Sequence, residues 1–364
     1  MAFSPYPLPQ HIGLSPSLIY VLDEATRAVA TLAGVGETIP NPHLLIRPFV
    51  RREAVLSSKI EGTQASISDL FLFESSKRQR ARGDVLEVLN YVGAFDLGIE
   101  LLDDLPICVR LVNKMHERLM RHVGGAETRP GDLRTGQVWI GPTGIPIEDA
   151  RFIPPPPNLL QDLLADWEVF INESSEVPPL IKCAMMHYQF EAIHPYADGN
   201  GRIGRLLVIL YLCATGILPK PLLYLSAYFE RDKDLYYDQL YQVSATGEWE
   251  PWLKYFLIGC RDQALDALAR TRRMRELLDD MRHHLQDEQQ SANAMRLLEE
   301  LFARPFMTAP LAADLLAVSV AGARGVLDRL ARLGIVELRE GTWPKLYVAS
   351  DLLTVIEAPT AKYS

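Results

Sequence analysis

His194, Asp198, Asn200, Arg202 and Arg205 fall in one run, His194-Pro195-Tyr196-Ala197-Asp198-Gly199-Asn200-Gly201-Arg202-Ile203-Gly204-Arg205. A histidine titrates near neutral pH and can take a proton from an attacking hydroxyl. A carboxylate such as Asp198 is a hard oxygen ligand suited to a magnesium ion that bridges phosphates. Gly199 and Gly201 let the backbone turn tightly and come close to a ligand. A helix starting near Asn200 or Gly201 would point free N–H groups and the positive end of its dipole at the turn, which binds phosphate. On that helix Arg202 and Arg205 are three apart and share a face, where they can grip successive phosphate groups. A base, a metal carboxylate and a phosphate cradle together describe transfer to or from a polyphosphate.

The elements that must position these groups are apolar. Residues 180–193 read as a mostly apolar helix that ends at the histidine. Residues 206–214 are apolar on every side of a helical wheel, the pattern of a helix buried all round. Reactive polar residues in a turn between two core helices are costly to place without a purpose, which argues against a plain helix-capping turn with surface arginines. Gly199-x-Gly201-x-x-Gly204 is formally the dinucleotide-binding pattern. That pattern needs a strand before it and an acid about 20 residues later. Here a helical pattern comes first and Pro219-Lys220-Pro221 lies at that distance, so the dinucleotide reading is set aside.

The run resembles the Fic-family signature, His-Pro-Phe-x-Asp/Glu-Gly-Asn-Gly-Arg-x-x-Arg, with Tyr196 for phenylalanine as its one departure. The resemblance implies a mostly helical fold and transfer of AMP from ATP to a protein hydroxyl. It assigns the base to His194 and Mg²⁺ to Asp198. It gives ATP binding to Gly199, Asn200, Gly201, Arg202, Ile203, Gly204 and Arg205. A second motif, Ser57-x-x-x-Glu61-Gly62, matches the family's inhibitory helix. Ser57 and Glu61 are i,i+4 neighbours and Gly62 can end the helix, although a surface helix end would look the same. The resemblance places Glu61 beside the ATP site, paired with Arg202. Tyr236 and Tyr237 resemble residues lining the adenosine pocket, but tyrosines at helical spacing are as often core. Many relatives carry an asparagine on the nucleoside where this chain has Ser244. His116, on the apolar side of its helix, resembles a recurrent scaffold histidine and reads as a positioning rather than a catalytic residue.

The chain has 364 residues, 48% of them apolar, enough to bury a sizeable core. A net charge of -9 offers no global basic field for nucleic acid. Cys108, Cys183, Cys213 and Cys260 are widely spaced and read as reduced thiols of a cytoplasmic protein. The proline-rich residues 1–10 lack a basic n-region, and the apolar run at 206–218 is too short to span a bilayer, so no membrane association is expected.

Helical patterns are expected over 17–31, 44–60, 66–73, 84–102, 107–122, 159–173 and 252–285, with a Gly/Pro-rich break over 32–42 and a basic hinge at 77–82. Residues 137–141 and 150–153 suggest a hairpin. In the Fic reading this is a flap near 137–153 that docks a target segment as an added strand; a plain surface hairpin is the other reading. The last 70 or so residues resemble a winged helix-turn-helix, with a protein-interaction or dimer module as the other reading. Arg324, Arg329 and Arg332 sit on its second helix, with Arg339-Glu340-Gly341-Thr342 at the tip of the wing.

The expected fold is all-α, a Fic fold with a small β-hairpin flap and a C-terminal winged helix-turn-helix. The expected division is an N-terminal helical region at 1–105 carrying the inhibitory motif, a catalytic core at 106–260, a long helix or linker at 261–290, and the winged-helix-like domain at 291–364. The expected partners are a target protein on the flap, the chain itself through self-modification or a homodimer, and DNA weakly or not at all. Removal of AMP, transfer of another phosphate-bearing group, and a DNA-binding regulator with a nucleotide-sensing core stay open beside adenylylation.

Overall fold

The structure is a computed structural model. It describes residues 2–38, 41–76, 81, 83–124, 129–141, 144–339, 341 and 344–358. The expected hinge residues Lys77, Arg78, Gln79, Arg80 and Arg82, and Glu340 and Thr342 of the expected wing tip, lie outside the described residues.

Four helices come first: α1 (Pro16–Thr38), α2 (His43–Ile60), α3 (Ile67–Ser75) and α4 (Asp84–Leu101). The first continues past the expected stop at Thr31. Gly36 lies where an added Cβ would come 3.0 Å from Leu222 Cδ1, so a close helix contact outweighs the poor helix propensity of glycine there. The third opens on a capping box: Ser66 Oγ accepts the Asp69 N–H, and Asp69 Oδ2 accepts the Ser66 N–H.

Next come α5 (Val109–Leu119), two short 3₁₀ turns, α6 (Leu160–Asn172), and the central pair α7 (Pro179–Ile193) and α8 (Asn200–Ala214). Every residue of α8 from Arg202 to Leu212 is buried, as its all-round apolar wheel requires. Two helices follow, α9 (Ser226–Arg231) and α10 (Lys233–Thr246), and then the long α11 (Glu250–Asp287). This helix crosses residue 260 without a break and packs along α1, and Ala264, Ala267, Arg270 and Met274 on it are buried.

The C-terminal part is α12 (Ala292–Ala303), β1 (Phe306–Thr308), α13 (Ala309–Leu316), α14 (Val320–Arg332), β2 (Glu337–Arg339), β3 (Leu346–Val348) and α15 (Ser350–Glu357). The strands form an antiparallel sheet in the order β1-β3-β2, with Val348 opposite both Phe306 and Glu337. The helices α13 and α14 meet at 107°. This part is fastened to α2 and α3. The Phe306 ring stacks on Phe71 at 6.1 Å, the Thr308 hydroxyl donates to the Ser75 carbonyl, and α12 lies along α2.

The expected flap hairpin is reduced to one antiparallel bridge, Ile140 with Phe152, closed by both N–H···O bonds. Beyond it Pro146 enters a 3₁₀ turn and Pro154 follows the bridge, and proline cannot extend a ladder. No single helix among the described residues is long and apolar enough to cross a membrane.

Arg270 joins α11 to the chain's last helix. Its guanidinium pairs with Asp266 through Nε at 2.7 Å and also donates to the carbonyls of Val355, Ile356 and Ala358, capping the C-terminal end of α15. Both partners are buried. Arg270→Ala is therefore expected to cost roughly 3–5 kcal/mol in urea denaturation, because it strands Asp266 and the helix end. Asp266→Leu combined with Arg270→Met should recover much of that loss; an additive double mutant would show that the pair is not the source.

Candidate active site

The histidine sits where α7 ends. His194 is left-handed, with φ 51° and ψ 61°, and its N–H closes the helix on the Phe190 carbonyl at 3.0 Å. For a non-glycine residue that conformation costs of the order of 1–3 kcal/mol and persists only where the surroundings impose it. Arg134 imposes it. Its Nε donates to the His194 carbonyl at 2.8 Å, its Nη2 to Pro155 O at 2.5 Å, and its own N–H to Pro195 O at 2.9 Å. Burial lowers this guanidinium to about 10, which still leaves it charged at neutral pH. The His194 ring meets the Glu191 carbonyl through Nδ1 at 3.3 Å. A carbonyl can only accept, so Nδ1 carries the proton and Nε2 keeps its lone pair. Burial pushes the imidazole down to about 4, so it is a neutral base at physiological pH.

The turn after it is held from below by His116. The Gly131 N–H donates to His116 Nδ1 at 2.9 Å, so Nε2 is the donor to the Asp198 carbonyl at 2.9 Å. The ring stacks on Tyr196 at 3.7 Å, and the Tyr196 hydroxyl donates to Asn113 Oδ1. His116 is thus a positioning residue, kept neutral by burial, which pushes it to about 4. Asn200 staples the turn to itself: Oδ1 accepts the Tyr196 N–H and Nδ2 donates to the Tyr196 carbonyl. These two bonds give the Asn200 side chain a structural duty in the turn, beside the phosphate contact expected of it. Gly199 is left-handed at φ 83°, and a Cβ on it would come 2.9 Å from Met120 Sδ, so both its conformation and the packing demand glycine. The first intrahelical bond of α8 runs from Ile203 N–H to Gly199 O, which leaves the preceding N–H groups at the turn.

The two arginines part company. Arg202 Nη1 pairs with Glu87 on α4 at 3.0 Å, and Nη2 reaches Asp198 Oδ1 at 3.3 Å. Arg205 donates through Nε to Ser57 Oγ at 2.8 Å, and through Nη2 to Ser57 O at 3.0 Å and Glu61 Oε1 at 2.6 Å. The expected Glu61–Arg202 pair is therefore corrected to Glu61–Arg205. The reason is tertiary: α4 supplies a carboxylate to Arg202, while the last turn of α2 faces Arg205. Burial alone would drive the Arg205 guanidinium down, but Glu61 beside it holds it up and charged. A Cβ on Gly201 would meet Glu61 Oε1 at 2.3 Å, and one on Gly204 would meet Glu191 Oε1 at 2.1 Å. Each of these motif glycines makes room for a carboxyl group. Ser57 is buried, and Gly62 takes φ 102° just past the helix end.

A cavity of about 400 Å³ opens on this cluster, walled by His194, Asp198, Gly201, Arg205 and Glu61 on one side and by the flap residues Trp139 and Arg151 on another. Tyr237 is half-buried in its wall. Tyr236, expected on the nucleoside, is a core residue as well: it stacks on Phe229 at 4.3 Å, and its hydroxyl donates to His187 Nε2 at 2.8 Å. Burial pushes His187 to about 3, and its Nδ1–H holds the Gly204 carbonyl at 3.0 Å. Ile203 is buried core and does not line the cavity. Ser244 does line it, and its hydroxyl meets that of Tyr188 at 2.9 Å. Sequence reasoning missed Arg134, Glu87, His187, Tyr188 and Glu191. Only Glu191 carried a signal, as a lone acid one turn before the histidine in an otherwise apolar helix.

Among the described residues no group of three His, Cys, Asp or Glu gathers as a metal cage. Asp198 is half-exposed, and its Oδ1 is taken by the Gly199 N–H and Arg202. One carboxylate beside a phosphate cradle is what magnesium ordinarily uses, since it keeps waters and shares phosphate oxygens. The residues present fit that group.

The sequence matches the Fic/DOC family N-terminal region over residues 19–100 and the Fic/DOC family over residues 106–212, together about half of the chain. The protein adenylyltransferase Fic of Drosophila melanogaster is 28% identical over 200 residues, 52% of this chain and 36% of that protein. The same-named protein of Culex quinquefasciatus is 32% identical over 155 residues, 42% of this chain and 27% of that one. The chain thus spans about a third of the length of the curated relatives it matches. In fold it is similar to a Fic family protein of Desulfovibrio desulfuricans, with TM-score 0.60 and 20% identity over 94% of this chain and 98% of that one. It is also similar to a fragment of Fic-1 from C. elegans, with TM-score 0.53 and 20% identity over 71% and 74%. The chain carries a Fic/DOC family domain preceded by that family's N-terminal region.

Proposed function

We propose that this chain is a protein adenylyltransferase that moves AMP from ATP to a Ser, Thr or Tyr hydroxyl and is restrained by Glu61. The family link supports a nucleotidyltransferase-type activity in general. The observation that carries the finer reading is the meeting, in one cavity, of a neutral His194 with its Nε2 lone pair free and an Arg205 already claimed by a carboxylate.

In this reading His194 Nε2 takes the proton of the target hydroxyl as its oxygen attacks the α-phosphorus, and pyrophosphate leaves. Arg205 and the N–H groups opening α8 hold phosphate oxygens in line. Asp198 would hold Mg²⁺, which would supply charge neutralisation of the phosphates. Arg134 and His116 fix the histidine and the turn. The target segment docks along the flap near Ile140 and Phe152, where a backbone edge carries a single bridge. The same site with Glu61 orienting a water would remove AMP, and self-modification needs no further group.

His194→Ala is expected to lower transfer by roughly 10²–10⁴-fold while ATP still binds. Labelled ATP followed by mass spectrometry of modified hydroxyls reads this. Undiminished turnover in the purified variant would take the histidine out of the mechanism. Because the imidazole is held down near 4, the acid limb of the rate profile should fall around that pH rather than near 6.5.

Glu61→Gly is expected to raise turnover, on the order of 100-fold. While Glu61 holds Arg205, a phosphate meets a carboxylate in place of a free guanidinium, and ATP settles with its α-phosphate misdirected. Ser57→Ala should activate less, since it removes one bond to Arg205 and leaves the carboxylate. A folded, ATP-binding Glu61→Gly protein no faster than wild type would mean that the pair does not restrain the enzyme.

We read residues 291–364 as a winged helix-turn-helix, supported by the 107° helix pair and the β2–β3 ribbon. Its α14 exposes Arg324, Arg329 and Arg332 but also Asp328, whose carboxylate accepts from the Tyr347 hydroxyl. DNA binding through this face is expected to be weak, with a salt slope of only about 2–3 phosphates. Tight sequence-specific binding at physiological salt in a titration would promote the regulator reading instead.

A further inference from the structure

Glu191 is a carboxyl group in the cavity wall that the mechanism above does not use. It lies on α7, one turn before His194, and faces the cavity together with Glu61, Gly201 and Arg205. Its Oε1 is sealed from solvent with no hydrogen-bond partner among the described residues, and it rests where a side chain on Gly204 would stand. An ionised carboxylate in such a place needs a cation. The one beside it, Arg205, is shared with Glu61, gives its Nε to Ser57 and its Nη2 to Ser57 O and Glu61, and makes no hydrogen bond to Glu191 Oε1.

We propose that Glu191 joins the phosphate cradle as an un-ionised acid whose O–H donates to a phosphate oxygen of the nucleotide. Phosphate oxygens only accept, so a neutral acid adds a donor where a carboxylate would repel. This rests on the reading of the cavity as a nucleotide site.

The groups facing Glu191 support the charge state. Burial raises its carboxyl to about 8; Arg205 on α8 opposes the rise and Glu61 on α2 adds to it. On its own helix His187 and His194 are neutral, held near 3 and 4. On α10, burial pushes the Tyr236 and Tyr237 phenols up, so both stay neutral. Arg151 on the flap is paired with Asp238. At neutral pH the acid is protonated, and as pH rises past about 8 it becomes an anion facing the phosphates.

The test is the dissociation constant of Mg-ATP between pH 6.5 and 9.5 for the full-length chain as wild type, Glu191→Gln and Glu191→Leu, with folding checked by circular dichroism. Wild type should bind evenly at the lower end and weaken by about tenfold per pH unit once past about 8. Glu191→Gln keeps a neutral donor, so it should match wild type at pH 7 and stay flat above it. Glu191→Leu should bind roughly tenfold or more weakly at every pH. A glutamine variant that titrates in parallel with wild type, or a leucine variant that binds as tightly as the glutamine one, overturns the role of Glu191 and leaves the site a nucleotide site. Absence of Mg-ATP binding by all three folded proteins overturns the nucleotide reading, and this inference with it.

Discussion

Arg205 is a cation buried in the middle of the fold, with only 1% of its side chain exposed. A charge there is tolerable only while something negative or strongly polar stays with it. That constraint explains why α2 runs where it does. Its last turn brings Ser57 and Glu61 to a guanidinium that α8 cannot expose to water. The glycines of α8 follow from the same need: Gly201 clears space for Glu61, and Gly204 clears it for Glu191. The C-terminal module follows too. By lying along α2 and α3, with Phe306 on Phe71, it braces the helices that deliver the carboxylate.

Around this charge three histidines are kept neutral. Burial holds His116, His187 and His194 well below the usual imidazole range. Each uses one ring nitrogen to hold a backbone carbonyl, of Asp198, Gly204 and Glu191 respectively. Two of them spend the other nitrogen on a protein donor, from Gly131 and Tyr236. For His194 no such donor is found among the described residues, and its second nitrogen belongs to the cavity side. Three histidines of equal chemistry thus acquire different duties from which of their nitrogens the fold occupies.

Much of this was legible in the chain. The run from His194 to Arg205 announced the turn and the buried helix that follows it. Most helices followed from apolar spacing. What spacing could not supply was partner choice. Arg202 and Arg205 share a helical face, yet Glu61 went to Arg205 because α4 supplies Glu87 to Arg202. Tyr236 lines the cavity, but spacing gave no sign that His187, Phe229 and Trp252 also hold it in the aromatic core. The flap failed to become two strands because prolines interrupt its ladder. The first helix outran its glycines because Leu222 needed one of them to be small. In each case a contact distant in sequence outweighed a local preference.

The placement of Glu61 also bears on what its release would require. It stands at the C-cap of α2, outside the helix proper, with Gly62 at φ 102° behind it. Ser57 lies a full turn inside and holds Arg205 through both its hydroxyl and its carbonyl. A phosphate that competes for Arg205 therefore has to displace only the capping carboxylate, whose side chain is one-third exposed and can turn toward water. The serine contacts, and the packing of α12 and α15 on α2, need not break. Releasing Glu61 is then a rotation of one side chain about a helix end rather than an undocking of the N-terminal region. Such a change costs the arginine no desolvation, because a phosphate oxygen replaces the carboxylate oxygen it gives up.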